Sequence, residues 1–203
     1  MLNLPDFPMA IIIFAVTIVA SLLGLYAQPL IIQHSLFRPY WLLRKRAYAT
    51  IFTSGFVHAD LGHLLFNMFT YWFFAFPLER QIGAWPFLAL YLAGLVCSHA
   101  CTWFKQRDNP KYASLGASGA ISAVLFAFIV YFPTTRIMIL PIPVPIPAVL
   151  FAVAYVVYSY WGGRRQKGRV NHDAHFCGAL SGLAFVALFE PGAWANVARV
   201  LSG

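Results

Sequence analysis

The chain has 203 residues, of which 61% are hydrophobic and 10% are charged, and its net charge is +8. This composition excludes an ordinary soluble fold, because soluble domains are about half apolar and about a quarter charged. The basic residues stand between apolar runs, which favours contact with lipid headgroups over binding of nucleic acid. We therefore expect membrane lipid, and not nucleic acid, among the partners of the protein.

Six apolar runs are candidates for membrane spans, which usually need roughly 17–25 helical residues. The predicted spans are residues 8–27, 59–78, 85–104, 118–133, 147–161 and 173–190. The first run lacks a basic leading segment and a clear cleavage site, so it is interpreted as a span and not as a removable signal. We expect an all-α polytopic membrane protein with one membrane-embedded domain over residues 1–203 and no soluble second domain.

The fifth predicted span is short because a proline-rich segment, PIPVPIP at 141–147, precedes it. Proline lacks an N–H donor and disrupts a helix interior. This segment is therefore expected to be either extended chain or the start of a helix.

The three cysteines, Cys97, Cys101 and Cys177, all lie inside apolar runs, so a disulfide framework is not expected. Cys97 and Cys101 are one helical turn apart with His99 between them. A metal site would need further ligands on the same face, so these are interpreted as small packing residues. No metal and no other cofactor is expected.

Polar and ionisable groups inside apolar spans are costly, so each needs a reason to be there. Three clusters of such groups are HLLFN at 63–67, GASG at 116–119 and AHFCGALSG at 174–182. In the first cluster, His63 and Asn67 are four residues apart and share one helix face. Both side chains can donate hydrogen bonds, and bonding between helices is the structural alternative to a functional site.

Ser118 lies where a polar loop becomes an apolar helix. A serine at that position is commonly a helix cap. The same position offers free N–H groups and the positive end of the helix dipole, which would stabilise a developing oxyanion. Gly119 and Ala123 follow on the same helix and form a small-residue face suited to close packing.

His175 stands three residues before Gly178, which forms a GxxxG pattern with Gly182. This pattern lets another helix approach closely, so the imidazole is expected near a helix contact. A hydrogen-bonded packing histidine is the alternative interpretation.

Together the three clusters predict a catalytic site. A serine needs a base to become nucleophilic, and histidine is the usual one. Packing of the small-residue face on the GxxxG face would bring Ser118 to His175. His63 and Asn67 would then donate to the oxyanion, together with the backbone N–H of Ser118.

No acidic third member of the site is evident. Asp173 precedes His175 by two residues, so on a helix it points elsewhere. Asp60 stands at the start of the second span and is expected to cap it. The prediction is therefore a dyad of Ser118 and His175.

In this order, the motifs resemble the rhomboid family over about residues 50–185. The matching pieces are HLLFN, Glu79-Arg80 with Gly83, GASG, AHFCGALSG, and the approach segment FTSGFVHADLGH at 52–63. GxSG alone is a weak signal, whereas the ordered set on separate apolar spans is specific.

The resemblance implies a six-helix core and proteolysis of transmembrane or membrane-adjacent segments of membrane proteins. It makes Ser118 the nucleophile, His175 the base, and His63 and Asn67 the oxyanion partners, with no metal. It also implies a first loop lying partly in the membrane surface and a fifth span acting as a mobile side gate. The protein is expected to be an integral protein of the bacterial inner membrane.

The chain departs from the family pattern at three places, two of them in its motifs and the third in its charge distribution. Many relatives carry an aromatic residue four positions after the serine, stacked on the histidine, and this chain has Ser122 there. A Trp-Arg pair common in the first loop is replaced by Ala49-Thr50. The sequence leaves open what orients His175 and what fixes the first loop.

Charge and family give conflicting orientations in the membrane. Eleven of the 14 basic residues lie in loops one, three and five, and the others are Arg80, Arg136 and Arg199. The positive-inside rule would put those loops in the cytoplasm, whereas bacterial relatives usually open that side outward. The family orientation is preferred because these loops belong to a folded cap. If a reporter fused after Gly203 is found in the cytoplasm, the result would support the family orientation.

The expected function is that of an intramembrane serine endopeptidase working through an acyl-enzyme. One alternative is a non-catalytic rhomboid-like protein that binds or escorts membrane helices, but such relatives usually lose the serine or the histidine. A small-solute channel would need a polar stripe through the bilayer. The polar residues here gather instead at helix ends near the loops.

Overall fold

The computed structural model describes residues 8–139, 142–165 and 170–202. Within these residues, six helices of 14 residues or more form the body of the molecule. In chain order the helices are α1 (Pro8–Leu22, continued by a π-helical turn Leu23–Ala27), α2 (Leu30–Ser35), α3 (Pro39–Arg44), α4 (Thr50–Thr53), α5 (Leu61–Ile82), α6 (Ala84–Gln106), α7 (Ser118–Tyr131), α8 (Ala148–Arg165), α9 (His172–Phe189) and α10 (Trp194–Ser202). The six long helices α1, α5, α6, α7, α8 and α9 occupy the six apolar ranges.

The fold class is confirmed as a helical membrane bundle. By length and composition, the helical segments Pro8–Ala27, Ala84–Gln106 and His172–Phe189 can each cross a membrane, and α7 is a shorter apolar helix. That all six long helices cross the bilayer stays a prediction. Two of the eleven basic residues in the loops, Lys167 and Arg169 of the fifth loop, lie outside the described residues.

A two-stranded hairpin is the one addition to the all-α expectation in the described part of the chain. Strand β1 (Arg136–Ile139) pairs antiparallel with β2 (Ile142–Pro147), and Arg136 stands opposite Pro147. The proline-rich segment is therefore extended chain, one of its two predicted forms, as suits residues that cannot donate within a helix. Its first residue, Pro141, lies outside the described residues.

Helix α7 is the centre of the bundle. All its residues from Gly119 to Val130 are buried, and it packs on α5, α6 and α9. A helix that is apolar all round, with no polar face for solvent, is stable only when neighbours enclose it. The first residue of α7 is Ser118, so this enclosed position places the serine at one end of the core.

The predicted contact of the small-residue faces is confirmed between α7 and α9. A methyl group added at Gly178 would overlap the carbonyl oxygen of Gly119, and one at Gly182 would overlap that of Ala123. Backbone approaches of this kind need glycine on one side. The GxxxG pattern therefore fixes the register between the helix that starts at the serine and the helix that carries the histidine.

Glu79 has a structural role in this fold. Its carboxylate is fully buried and accepts the backbone N–H groups of Met9, at 2.9 Å, and Ala10, at 2.6 Å. These N–H groups belong to the first turn of α1, where the helix itself provides no acceptor. Glu79 thus anchors the start of α1 to α5.

The expectation that the cysteines form no disulfide is wrong. Cys101 of α6 and Cys177 of α9 are joined, with a Cα–Cα distance of 6.4 Å, and Cys97 is a free, exposed thiol. Helices α6 and α9 pack side by side, and this packing brings together two cysteines that are 76 residues apart in sequence. Position within apolar runs does not exclude a disulfide when the runs are neighbours in space.

Candidate active site

Ser118 is the first residue of α7, and its side chain is not the helix cap. The cap position is Ala117, which makes no side-chain capping bond. The chain reaches this point through Gly116, whose φ of 115° is in the region that favours glycine and whose N–H donates to the Ser54 carbonyl at 2.8 Å. The half-buried serine hydroxyl is therefore not used for capping at the positive end of the helix dipole.

His175 lies in the first turn of α9, next to the start of α7. The side chain of Asn171 caps α9 by accepting the N–H of Ala174 at 3.1 Å. A methyl group on Gly119 would lie 3.4 Å from the Ala174 carbonyl oxygen, so the residues next to Ser118 and His175 touch. Among the described residues, no hydrogen bond joins the Ser118 and His175 side chains themselves. Catalytic hydrogen bonds often tighten only when substrate binds.

Tyr155 of α8 occupies the face of the His175 ring. The two ring centroids are 6.2 Å apart and the planes differ by 22°. The Tyr155 hydroxyl is 2.6 Å from Oγ of Ser122, which also donates to the Ser118 carbonyl at 2.8 Å. The aromatic ring beside His175 thus comes from α8, and not from the position four residues after the serine, where this chain has Ser122.

His63 of α5 lies against the turn that leads to Ser118, and Asn67 follows one turn later on the same helix. The His63 ring lies so close to Gly116 that a methyl group there would come within 2.5 Å of its Cε1 atom. Asn67 is buried and donates one amide N–H to the His63 carbonyl at 2.9 Å, within its own helix. Since the amide has two N–H groups, the second can serve another acceptor.

His58 is a site residue that the sequence reasoning missed. It is fully buried, and its Nε2 accepts the Ala117 N–H at 3.4 Å. Nδ1 therefore carries the proton and donates to Ser21 Oγ at 3.0 Å. Burial, with a contribution from neighbouring His63, lowers the pKa of His58 to about 3, so the ring is neutral. Its signal was a histidine five residues before His63 in the FTSGFVHADLGH segment.

The first loop is fixed to α6 by His99. The imidazole Nε2 of His99 is 2.8 Å from Ser54 Oγ, and its Nδ1 is 2.8 Å from the Leu95 carbonyl oxygen. The Phe37 and His99 rings are in edge-to-face contact with centroids 4.3 Å apart, and the Phe37 main chain pairs with that of Ser114. These contacts hold the loop that contains Ala49-Thr50 in place of the usual Trp-Arg pair.

The acidic residues take the structural roles expected of them. Asp60 caps α5 by accepting the His63 N–H at 2.8 Å. Asp173 pairs with Lys105 of α6 at 2.8 Å and is therefore not a partner of the His175 ring.

The described residues contain no group of three or more metal-ligating side chains. The His99 imidazole is hydrogen-bonded to Ser54 and Leu95.

A small polar cavity of about 20 Å³ lies next to Ser118. Its polar lining includes Ser98, Thr102, Ser114 and Asn171. A cavity of this size holds about one water molecule, and hydroxyl and amide groups supply the partners that such a water needs.

Comparison with known proteins gives a match over most of the chain. A family model described as Rhomboid domain matches residues 45–191. Rhomboid protein 1, mitochondrial, of Saccharomyces cerevisiae is 29% identical over 152 residues, which are 71% of this chain and 44% of that protein. The presenilin-associated rhomboid-like protein, mitochondrial, of Homo sapiens is 30% identical over 145 residues, which are 70% of this chain and 38% of that protein.

The presenilin-associated rhomboid-like protein A, mitochondrial, of Danio rerio is 33% identical over 135 residues, which are 66% of this chain and 35% of that protein. The chain spans less than half the length of these curated relatives. The match and the apolar helices show an integral membrane protein. All three relatives are named as mitochondrial, so they do not support the expectation of a bacterial inner membrane.

Proposed function

Because this chain belongs to the rhomboid family, we propose that it is an intramembrane serine endopeptidase that cleaves transmembrane or membrane-adjacent segments of membrane proteins. The observation that carries the proposal is the close contact of α7 and α9. It sets Ser118, at the start of one helix, beside the first turn of the other, where His175 lies. A nucleophile and a base on two tightly registered helices are the minimum for covalent peptide hydrolysis.

The reaction starts when Ser118 Oγ attacks the scissile carbonyl carbon and His175 accepts the hydroxyl proton. The tetrahedral oxyanion takes hydrogen bonds from the Ser118 backbone N–H, from the His63 ring and from the second amide N–H of Asn67. When the carbon–nitrogen bond breaks, His175 gives its proton to the leaving amine, and an acyl-enzyme on Ser118 remains.

Hydrolysis of the acyl-enzyme requires one water at the same carbon. His175 removes a proton from this water, the hydroxide adds to the ester carbon, and the proton returns to Ser118 Oγ as the acid leaves. The polar cavity next to Ser118 supports this step because it has room for about one water and its hydroxyl and amide groups can hold that water.

The preferred substrate is a helix that is locally weak. An intact helix hides its carbonyls in its own hydrogen bonds, and in lipid these bonds are costly to break. We therefore propose that small or helix-breaking residues lie near the scissile bond.

A fluorophosphonate probe tests the proposed nucleophile. Wild type and Ser118→Ala are exposed to the probe in detergent, with Ser202→Ala, an exposed serine at the end of α10, as the matched control. Wild type and the control are expected to carry the label, while Ser118→Ala does not. Equal labelling of Ser118→Ala would contradict the proposal. A folded wild type that takes no label would favour a protein that binds membrane helices without cleaving them.

A further inference from the structure

We propose that Tyr155 of α8 is the positioning residue of the His175 base and that Ser122 holds the Tyr155 ring in place by a hydrogen bond. This inference rests on the proposed function, because it concerns how the base of that reaction is oriented. It assigns a role to a helix that contributes neither the nucleophile nor the base.

The first support is the geometry of the two rings. The Tyr155 and His175 centroids are 6.2 Å apart with nearly parallel planes, at 22°. Offset stacks of this kind have centroids about 4.5–7 Å apart. In the described part of the chain, the other ring in contact with His175 is that of His172, with centroids 6.3 Å apart and planes at 73°, which is an edge contact. Tyr155 is thus the nearly parallel, offset ring beside the imidazole, and it restricts the tilt of the imidazole.

The second support is the direction of the hydrogen bonds. Ser122 has one hydroxyl proton, and it donates that proton to the Ser118 carbonyl at 2.8 Å. The Tyr155 hydroxyl, 2.6 Å from the same oxygen, must therefore be the donor to Ser122. The resulting chain runs from Tyr155 through Ser122 to the carbonyl of Ser118, so the ring beside the base is tied to the residue that carries the nucleophile.

The third support is the packing on the remaining sides of Tyr155. The ring centroid of Tyr155 is 5.3 Å from that of Phe126 on α7 and 5.7 Å from that of Phe151, one turn earlier on α8. Ser122 is buried with only 3% of its surface exposed, and its small side chain leaves room for the ring. The position of Tyr155 is therefore set by α7, by α8 and by one hydrogen bond, and the imidazole rests on it.

A positioning role predicts a specific kinetic pattern. A tilted imidazole removes the Ser118 proton less effectively, but it leaves the binding of the substrate helix unchanged. Loss of the ring should therefore lower kcat and the rate of reaction with a fluorophosphonate, while KM stays the same. Loss of only the hydroxyl should have a smaller effect of the same kind.

The experiment compares Tyr155→Leu, Tyr155→Phe, Ser122→Ala and the double variant S122A/Y155F with wild type. The readouts are the rate of fluorophosphonate labelling of Ser118 and the kcat and KM for cleavage of a model transmembrane substrate. Tyr155→Leu is expected to lower the labelling rate and kcat about 10–100-fold, with KM within about twofold of wild type. Tyr155→Phe and Ser122→Ala are each expected to lower them about 3–10-fold.

The double variant isolates the hydrogen bond. Because both single changes remove the same bond, S122A/Y155F should be no slower than the slower single variant. This part of the test does not depend on Tyr155→Leu being folded. The control is Trp161→Leu, on the same helix and 54% exposed, which should keep wild-type rates.

Three results would overturn the inference while leaving the protease proposal intact. They are wild-type rates in Tyr155→Leu, additive losses in the double variant, and an equal loss in Trp161→Leu. A folded wild type that the probe does not label would instead overturn the proposed function, and this inference with it.

Discussion

Gly178 of α9 lies on the main-chain carbonyl of Gly119 in α7, so closely that even a methyl group at position 178 would overlap the carbonyl oxygen. This contact is one residue from the candidate nucleophile and three residues from the candidate base. The contact at Gly182 and Ala123, one turn further on, repeats it. The spacing of the two helices therefore depends on residues without side chains.

Gly182→Ala should destabilise the protein. A methyl group there meets the Ala123 backbone, which cannot move aside as a flexible side chain would. We expect a loss of about 1–3 kcal/mol in the free energy of unfolding, seen as a lower Tm in detergent. Gly192→Ala is the control, because nothing lies within 4 Å of a methyl group at that position. Equal Tm values for the two variants would show that the helices do not pack in this way.

Asn67→Ala should lower turnover without unfolding the protein. Removal of one donor to an oxyanion costs about 10²–10³-fold in kcat in other serine hydrolases. The measurement is kcat for a model transmembrane substrate, together with Tm. Thr70→Ala is the matched control, because Thr70 also bonds a carbonyl of its own helix but is only half-buried on α5, whereas Asn67 is buried. An Asn67→Ala variant with wild-type kcat would remove Asn67 from the oxyanion site.

Thiol counting should reveal the disulfide. The chain has three cysteines, and Cys101 and Cys177 are bonded, so a maleimide should add once to the unfolded protein without reductant and three times after reduction. Mass spectrometry gives the count. Cys97→Ala should take no label before reduction. Three labels on unreduced protein would contradict the Cys101–Cys177 bond.

Stability should fall as the pH is lowered, because of His58. Its pKa is about 3 in the folded protein and near 6.5 when exposed, so below pH 6.5 the unfolded state binds a proton that the folded state does not. The stability that His58 contributes is complete above pH 6.5 and is lost as the pH falls from there toward 3. At pH 5 the loss is about 2 kcal/mol.

The measurement is Tm in detergent between pH 8 and pH 5. His58→Gln retains an amide that can bond Ser21 and Ala117 but does not titrate, so its Tm should depend less on pH than that of wild type. His34→Gln, a change at an exposed histidine on α2, should keep the wild-type dependence. Identical pH dependence in wild type and His58→Gln would contradict this account of His58.

The sequence was sufficient for features that depend on local spacing. The GxxxG pattern predicted which faces of α7 and α9 meet, and Asp60 was predicted as the cap of α5; both are confirmed. These inferences need only the helical period and the chemistry of a single residue.

The features that the sequence did not predict depend on contacts between distant segments. Tyr155 is on α8, and nothing in its own sequence surroundings shows that its ring faces His175. The cysteines of the disulfide are 76 residues apart, and their meeting follows from the packing of α6 on α9. Ser122 departs from the family pattern, but its partner Tyr155 lies on another helix and depends on how α7 and α8 pack.

Cleavage of a model transmembrane substrate in liposomes tests the central claim most directly. Wild type should cleave the substrate, and Ser118→Ala and His175→Ala should each lower the rate by at least about 10³-fold, because nucleophile and base act as a unit. Equal cleavage by all three proteins would show that the Ser118–His175 pair does not carry the reaction.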